Sequence, residues 1–525
     1  MPLPIELTTP PVTKMYLTIA SRSLVPPPPL GTPRRSRRSA AVHRGHAPLY
    51  GTGPRRRLAH NAPMSHRPFR LLAAALALAA ALPSLSATVD DRIVDEAKNR
   101  SQAMRHLSHL CQKIGPRLTG SENLDKASRW AMDRFRAWGL KNVRFEPYGT
   151  MPGFDRAPGA YARMVAPVRR ELEFTAMAWT VGTDGPLRGP AVVAPTTMDE
   201  LLAVKDRLAG AWVVYREKLG GRGSGQTAQP NAEVEELLDK AGIAGRVRAT
   251  SSERIQTHGR PGRPDPSKPQ KPFFLVRSSD LDAILDFLAL GTPVTLEFNS
   301  VHRFSKEDRP IGNVIAEIPG REKSEEAVIL SAHLDSWDGP GSQGCQDNGT
   351  GSTIVMEVAR VLASLPEKPR RTIRFILWSG EEQGLLGSSA YVRANEASLD
   401  KISAVFVEDA GGGFDAGVAC TEKQAPLFRT VFERVAKEFP GLAPEVRVVD
   451  RMPTRSGGSD HAPFVAKGVP AFFWRKGGGL SYGLIWHTQY DRIEQVRSDY
   501  LVQACTNNAL TVWTLANAPT LLPRE

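Results

Sequence analysis

Ala327-Val328-Ile329-Leu330-Ser331-Ala332 is a short, nearly unbroken apolar run, and His333-Leu334-Asp335 follows it directly. A run of that length without polar alternation reads as a strand buried on both faces. Forward from it, Thr353–Leu365 places Ile354, Val355, Val358 and Leu362 at helical spacing. Thr372–Trp378 reads as a second strand, Gln383–Arg393 as a second helix and Ile402–Val407 as a third strand. Strand, helix, strand, helix, strand requires crossovers. The expected fold is therefore α/β, with a mixed, mainly parallel sheet from Asn313 onward and helices on both faces.

Backward from the same run, the pattern changes twice. Residues 153–300 hold short β-rich runs (Ala191–Val193, Ala211–Tyr215, Pro293–Phe298) around a polar, Gly- and Pro-rich stretch at 218–272. They read as an inserted β-rich domain without a catalytic constellation; its histidine, His258, lies in a basic loop-like segment and reads as solvated. Residues 90–140 read as helical. Ser121 is the expected N-cap there, Leu124, Ala127, Ala131, Phe135 and Trp138 share one face, and Gly139 ends the turn. The peptide thus divides into a first part of the main domain at 88–152, the insertion at 153–300 and a second part at 301–525.

Composition bounds the function. With 41% hydrophobic and 23% charged residues, the 525-residue chain is neither wholly disordered nor fibrous. The formal charge of +13 invites a nucleic-acid reading, but residues 1–63 carry ten basic residues against Glu6 alone, and Arg67 and Arg70 add two. The rest of the chain is near neutral, so nucleic acid is not an expected partner. Residues 1–63 also hold twelve of the 42 prolines and read as a disordered basic leader. Met64 then reads as the true start, with a tail that binds anionic surfaces as the alternative. From Met64 a basic stretch, the apolar run Leu71–Leu82 and small residues to Ala87 have the order of a secretory signal peptide over 64–87, cleaved near Ser86 or Ala87. The run is too short to span a membrane. A secreted or periplasmic protein is expected. In an oxidising compartment Cys111, Cys345, Cys420 and Cys505 allow three pairings, among which the sequence does not choose.

Ligands in such sheets gather at the carboxyl ends of the strands. The first strand ends in His333-Leu334-Asp335, the second in Ser379-Gly380-Glu381-Glu382 and the third in Glu408-Asp409; Asp347-Asn348-Gly349-Thr350-Gly351 lies between the first strand and its helix. Each is weak alone: His-x-Asp is usually a satisfied pair, Glu-Glu a solvated helix start, and Asp-Asn-Gly a turn. Together at successive strand ends they make an acidic cluster that repels itself without a cation. Imidazole with carboxylate suits zinc, and the two glycines are expected to let Asp347 approach a metal closely.

These segments, with Gly384 and Gly387-Ser388, resemble the signatures of the co-catalytic zinc aminopeptidase superfamily, and within it the plasma glutamate carboxypeptidase (carboxypeptidase Q) branch. The resemblance covers most of 90–515 and implies that 153–300 is a protease-associated-type domain. It also implies that Trp486-His487-Thr488-Gln489-Tyr490-Asp491 supplies a late histidine, His487; Arg492 stands where the family carries threonine. Two zinc ions about 3.5–4 Å apart are implied, one on His333 and Asp409, the other on Glu382 and His487, with Asp347 bridging. Glu381 is the implied general base. The Asp335 carboxylate is expected to accept the other ring N–H of His333. Tyr482 is a candidate donor to the oxyanion, with a packing role as the alternative, and Ser459-Asp460-His461 reads as support beside the site. The activity implied is a metallo-exopeptidase acting on dipeptides or short peptides; the alternatives are a single-zinc glutaminyl cyclase and a catalytically inactive peptide-binding homologue. Peptide is the expected partner, and a homodimer stays open.

Overall fold

The structure is a computed structural model and describes residues 87–219, 231–250, 252–267, 270–452, 457–479 and 481–524. The expected leader and, apart from Ala87, the expected signal peptide lie outside the described residues.

Six strands build the main sheet: β1 (Lys141–Arg156), β2 (His302–Ile318), β3 (Lys323–His333), β4 (Arg371–Trp378), β5 (Ile402–Val407) and β6 (Ala471–Phe473). Their spatial order is β1-β2-β4-β3-β5-β6. The pairs β1-β2 and β2-β4 are antiparallel, while β4-β3, β3-β5 and β5-β6 are parallel. The helices that matter for the site are α1 (Glu122–Ala137), α2 (Thr350–Ala363), α3 (Leu386–Ala394), α4 (Ala425–Glu438) and α5 (Ser498–Asn517).

Along β3 the side chains alternate between two cores. Val328, Leu330 and Ala332 enter the one that α1, α2, α4 and α5 cover, whereas Ile329 enters the one that Tyr391 and Val392 of α3 share with Phe464. Burying each such Val, Leu or Ile contributes about 1.5–3 kcal/mol. Both faces of β3 are therefore apolar, which is why its sequence shows no polar alternation.

Boundaries differ from expectation where the backbone leaves the helical region. Gly380, Gly384 and Leu385 have φ of 71°, 110° and 61°, so the chain after β4 makes a turn and α3 starts at Leu386 instead of Gln383. The stretch expected as helical over 90–140 breaks at Arg100–Gln102 and again at Gly115–Ser121. Ser121 does cap α1, its Oγ accepting from Leu124 N at 3.2 Å. α2 begins at Thr350 instead of Thr353, and its Gly351 allows close packing: a Cβ there would lie 2.2 Å from the Glu408 carbonyl oxygen. That glycine brings the helix against the chain leaving β5, a different service from the metal approach expected of it.

Residues 161–299 form a second sheet, of eight strands, whose edge strands Arg170–Leu172 and Phe174–Ala176 are consecutive in the chain. Its core holds Trp212, Phe274 and Phe298. Both sheets belong to one compact unit, Ala87–Glu525. The four cysteines are buried free thiols, so none of the three pairings is formed. No helix among the described residues is long and apolar enough to cross a membrane.

Candidate metal centre

Parallel register brings the candidate residues to one edge. His333 pairs with Trp378 across β3-β4, and Ser331 with Val407 across β3-β5, so three chain segments leave the sheet side by side. The Asp347 loop is tied to the third of them: Asn348 Nδ2 donates to the Glu408 carbonyl at 2.6 Å, and its Oδ1 accepts from Gly351 N at 3.0 Å.

Two ligand sets result, His333–Asp347–Asp409 and Asp347–Glu382–His487, each with its ligand atoms within 4.8 Å of one another. His333 Nε2 lies 3.1 Å from Asp409 Oδ1 and 3.4 Å from Asp347 Oδ1. His487 Nε2 lies 2.9 Å from Glu382 Oε2 and 3.4 Å from Asp347 Oδ2. Asp347 thus turns one oxygen to each set. Ligand atoms about 2.0–2.1 Å from a tetrahedral zinc stand about 3.3 Å from one another, and the four histidine–carboxylate separations here run from 2.9 to 3.4 Å. The Asp347–Asn348 peptide bond is cis.

The protonation pattern agrees with a cation site. His333 Nδ1 stands 2.9 Å from the backbone oxygen of Asp335 and donates to it, which turns Nε2 toward the carboxylates of Asp409 and Asp347. Burial opposes a charge on this imidazole, yet Asp409, Asp335 and Asp347 hold its pKa well above the ordinary value. Burial first, and then the surrounding acids, hold the carboxyls of Glu381 and Glu382 well above the usual range against the pull of His333. Asp347 Oδ2 and Glu382 Oε1 are buried without a hydrogen-bond donor. Two imidazole nitrogens, three carboxylates and two undonated buried oxygens fit divalent metal.

One sequence expectation changes atom. The Asp335 carboxylate stands 3.7 Å from His333 Nδ1, beyond hydrogen-bond distance; the ring uses the Asp335 carbonyl instead. The carboxylate accepts from Thr119 Oγ1 at 2.9 Å, Glu382 N at 3.3 Å and Glu381 N at 3.4 Å, so it holds the turn carrying both glutamates. Tyr482 is brought to the cluster. Its ring would meet a Cβ on Gly411 at 2.8 Å, and burial, then Asp347, Asp409 and Glu382, raise its hydroxyl pKa. With Gln346, Ala410, Gly412, Lys476 and Ser481 it lines a cavity of about 210 Å³. Asp460 is buried beside the site, its carboxyl raised to about 7 by burial against the charge on His333.

Three contributors escaped the sequence reading. Asp491 accepts from Gln346 N at 2.6 Å and Asp347 N at 3.2 Å, fixing the Asp347 loop; burial raises its carboxyl to about 7. Its place three residues after the Thr of the His-Thr motif was visible, its partners were not. The buried Arg117 guanidinium donates to the carbonyls of Leu334 at 2.7 Å and Gly344 at 2.6 Å, joining the end of β3 to the start of the same loop. His258, expected as solvated, stands with its ring 5.3 Å from that of His487 and 6.0 Å from Trp337. Arg492, in the threonine position of the motif, points outward to Glu494 and the Gly341 carbonyl.

A carboxylate presented to two histidine-containing sets at the carboxyl edge of a mixed sheet belongs to the metallo-exopeptidases, and that is the class of this chain. Residues 313–512 match the family model described as Peptidase family M28, and the chain carries a domain of that family. It is 25% identical to human carboxypeptidase Q over 446 residues, 84% of this chain and 90% of that protein. Over 193 residues it is 34% identical to aminopeptidase YwaD of Bacillus subtilis (strain 168), 35% of this chain and 40% of that one. The solved structure of a peptidase M28 precursor from Shewanella amazonensis SB2B superposes with a TM-score of 0.58 at 27% identity, covering 83% of this chain and 97% of that one.

Proposed function

We propose that the protein is an exported zinc-dependent exopeptidase that hydrolyses dipeptides and short peptides, with two zinc ions held by His333 and Asp409 on one side, Glu382 and His487 on the other, and Asp347 between them. The observation that carries this reading is the orientation of Asp347, with Oδ1 3.4 Å from His333 Nε2 and Oδ2 3.4 Å from His487 Nε2. Export rests on the signal-peptide pattern of residues 64–87. Residues 153–300 are read as an inserted domain of protease-associated type.

Zinc bound there would supply Lewis acidity towards water and the scissile carbonyl. The chain supplies the rest. Glu381, which belongs to neither ligand set, takes a proton from the attacking water and returns it to the leaving amine. Asp335 keeps Glu381 and Glu382 in place through their backbone N–H groups. Tyr482 donates its hydroxyl hydrogen to the oxygen that gains charge in the tetrahedral adduct.

Relatives named for both carboxypeptidase and aminopeptidase activity leave the terminus to experiment. The test is a panel of free, N-blocked and C-blocked dipeptides on the full chain, with metal content determined alongside. Chelator-sensitive release of amino acid, abolished by one of the two blocks, is the expected result and names the terminus read. A metal-loaded protein that releases no amino acid, or that instead frees ammonia from an N-terminal glutamine, would overturn the proposal.

A further inference from the structure

The two ligand sets are supported by different parts of the chain. His333 and Asp409 stand at the ends of β3 and β5. His487 stands on a loop and has φ of +59°, a left-handed backbone that a non-glycine residue keeps only where its surroundings impose it.

Those surroundings come from the second sheet. Thr257 N donates to the His487 carbonyl at 2.8 Å. Gln256 makes an isolated bridge with Thr488, and Arg254 Nη1 donates to the Gly483 carbonyl at 2.7 Å. On the far side of the histidine, the Tyr490 hydroxyl donates to Glu173 Oε1 at 2.5 Å. The loop is thus gripped before, at and after His487 by two separate connections of the second sheet. Its ring is gripped as well: the His258 ring stands edge-on at 5.3 Å and Trp337 edge-on at 5.8 Å. Of these ring neighbours, His258 belongs to a connection of the second sheet, whereas Trp337 follows β3 and Trp486, its ring 4.0 Å away, precedes His487 in the chain.

We infer that His258, with Thr257, is a positioning residue for His487. The second sheet sets the backbone and ring angle of that histidine, and with them the metal affinity of the Asp347–Glu382–His487 pocket. In the other pocket His333 and Asp409 follow main-sheet strands outside that contact, and Asp347 meets the His487 loop through Asp491. The chain then has one standing pocket and one conditional pocket, and the contact between the two sheets governs the conditional one. This rests on the two-metal reading above. Its physical basis is that a small turn of the His487 ring removes Nε2 from bonding range while leaving the fold intact.

The test is an equilibrium titration of the metal-stripped full chain with Zn(2+) alone against a competing chelator. Wild type is expected to bind two ions. His258→Ala should keep one site at wild-type affinity and weaken the other about 10–100-fold, the usual scale for losing a group that orients a metal ligand. His258→Phe, which keeps a ring edge at that place, should restore most of the loss. Wild-type affinity at both sites of His258→Ala, or equal weakening at both, would overturn the inference. Fewer than two ions on wild type would instead overturn the two-metal reading, and the inference with it. Where His258→Ala does not fold, Tyr490→Phe, which removes the bond to Glu173 at an exposed position, is read the same way.

Discussion

His333 and His487 stand on opposite sides of Asp347, yet they are built differently. His333 ends a strand hydrogen-bonded on both sides and has its Nδ1 fixed by a backbone carbonyl two residues on. His487 sits on a loop in a left-handed conformation, and its carbonyl is held by a residue 230 positions earlier in the chain. One histidine inherits its place from secondary structure, the other from a tertiary contact. On the proposed two-metal reading, one half of the centre stands on the sheet and the other where two sheets meet.

The comparison can be broken first at its chemistry. Glu381→Gln should retain both metals and lose about 10²–10⁴ in turnover, the range for removing a positioned general base; metal analysis with steady-state kinetics checks it, and full activity would remove Glu381 from the mechanism. Its neighbour sharpens the contrast. Glu382→Gln should lose the ion on the His487 side while the His333 side stays loaded, as counted by metal analysis after dialysis.

Stability separates the halves next. Arg117→Ala removes the buried guanidinium that donates to the carbonyls of Leu334, Gly344, Gly115 and Gln343, of which Gly344 keeps the Gly349 N–H, so about 3–5 kcal/mol of loss is expected in denaturant unfolding, at about 1–3 kcal/mol per unpaired group plus lost packing. Glu357, on α2 beneath the strand-built half, is next. Burial raises its carboxyl, but His106, Arg360 and the Gln102 amide outweigh that and hold it at about 2, below the ordinary value of 4.5. A carboxyl lowered in the folded state adds stability above its unfolded pKa and loses it as pH falls through the folded one. The Glu357 contribution, about 3 kcal/mol when complete, should fade between roughly pH 4.5 and 2 and be missing in Glu357→Gln, as unfolding curves at several pH values would show. The smallest effect is expected at Arg492→Thr. Its ion pair with Glu494 is exposed, so stability should move by less than about 0.5 kcal/mol and metal content not at all.

The same asymmetry governed what could be read from the chain. β5 was legible to the residue, Ile402–Val407, because a run buried on both faces has no competing reading. The expected start of α3 at Gln383 missed by a turn, since nothing local announces that Leu385 adopts a positive φ. Spacing brought Asp335 to His333 but could not say that the carbonyl, and not the carboxylate, would meet the ring. His258 was unreadable: a lone histidine in a polar, basic segment has no periodicity, and its partner lies on a loop more than two hundred residues away. Local pattern reaches strand ends; it does not reach contacts between separate sheets.

The measurement closest to the central claim is anomalous diffraction at the zinc edge from crystals of the zinc-loaded chain. Two peaks should flank the Asp347 carboxylate, one against His333 and Asp409 and the other against Glu382 and His487, with occupancy lost first on the His487 side as zinc is withdrawn. A single peak, or two peaks that do not share Asp347, would contradict it.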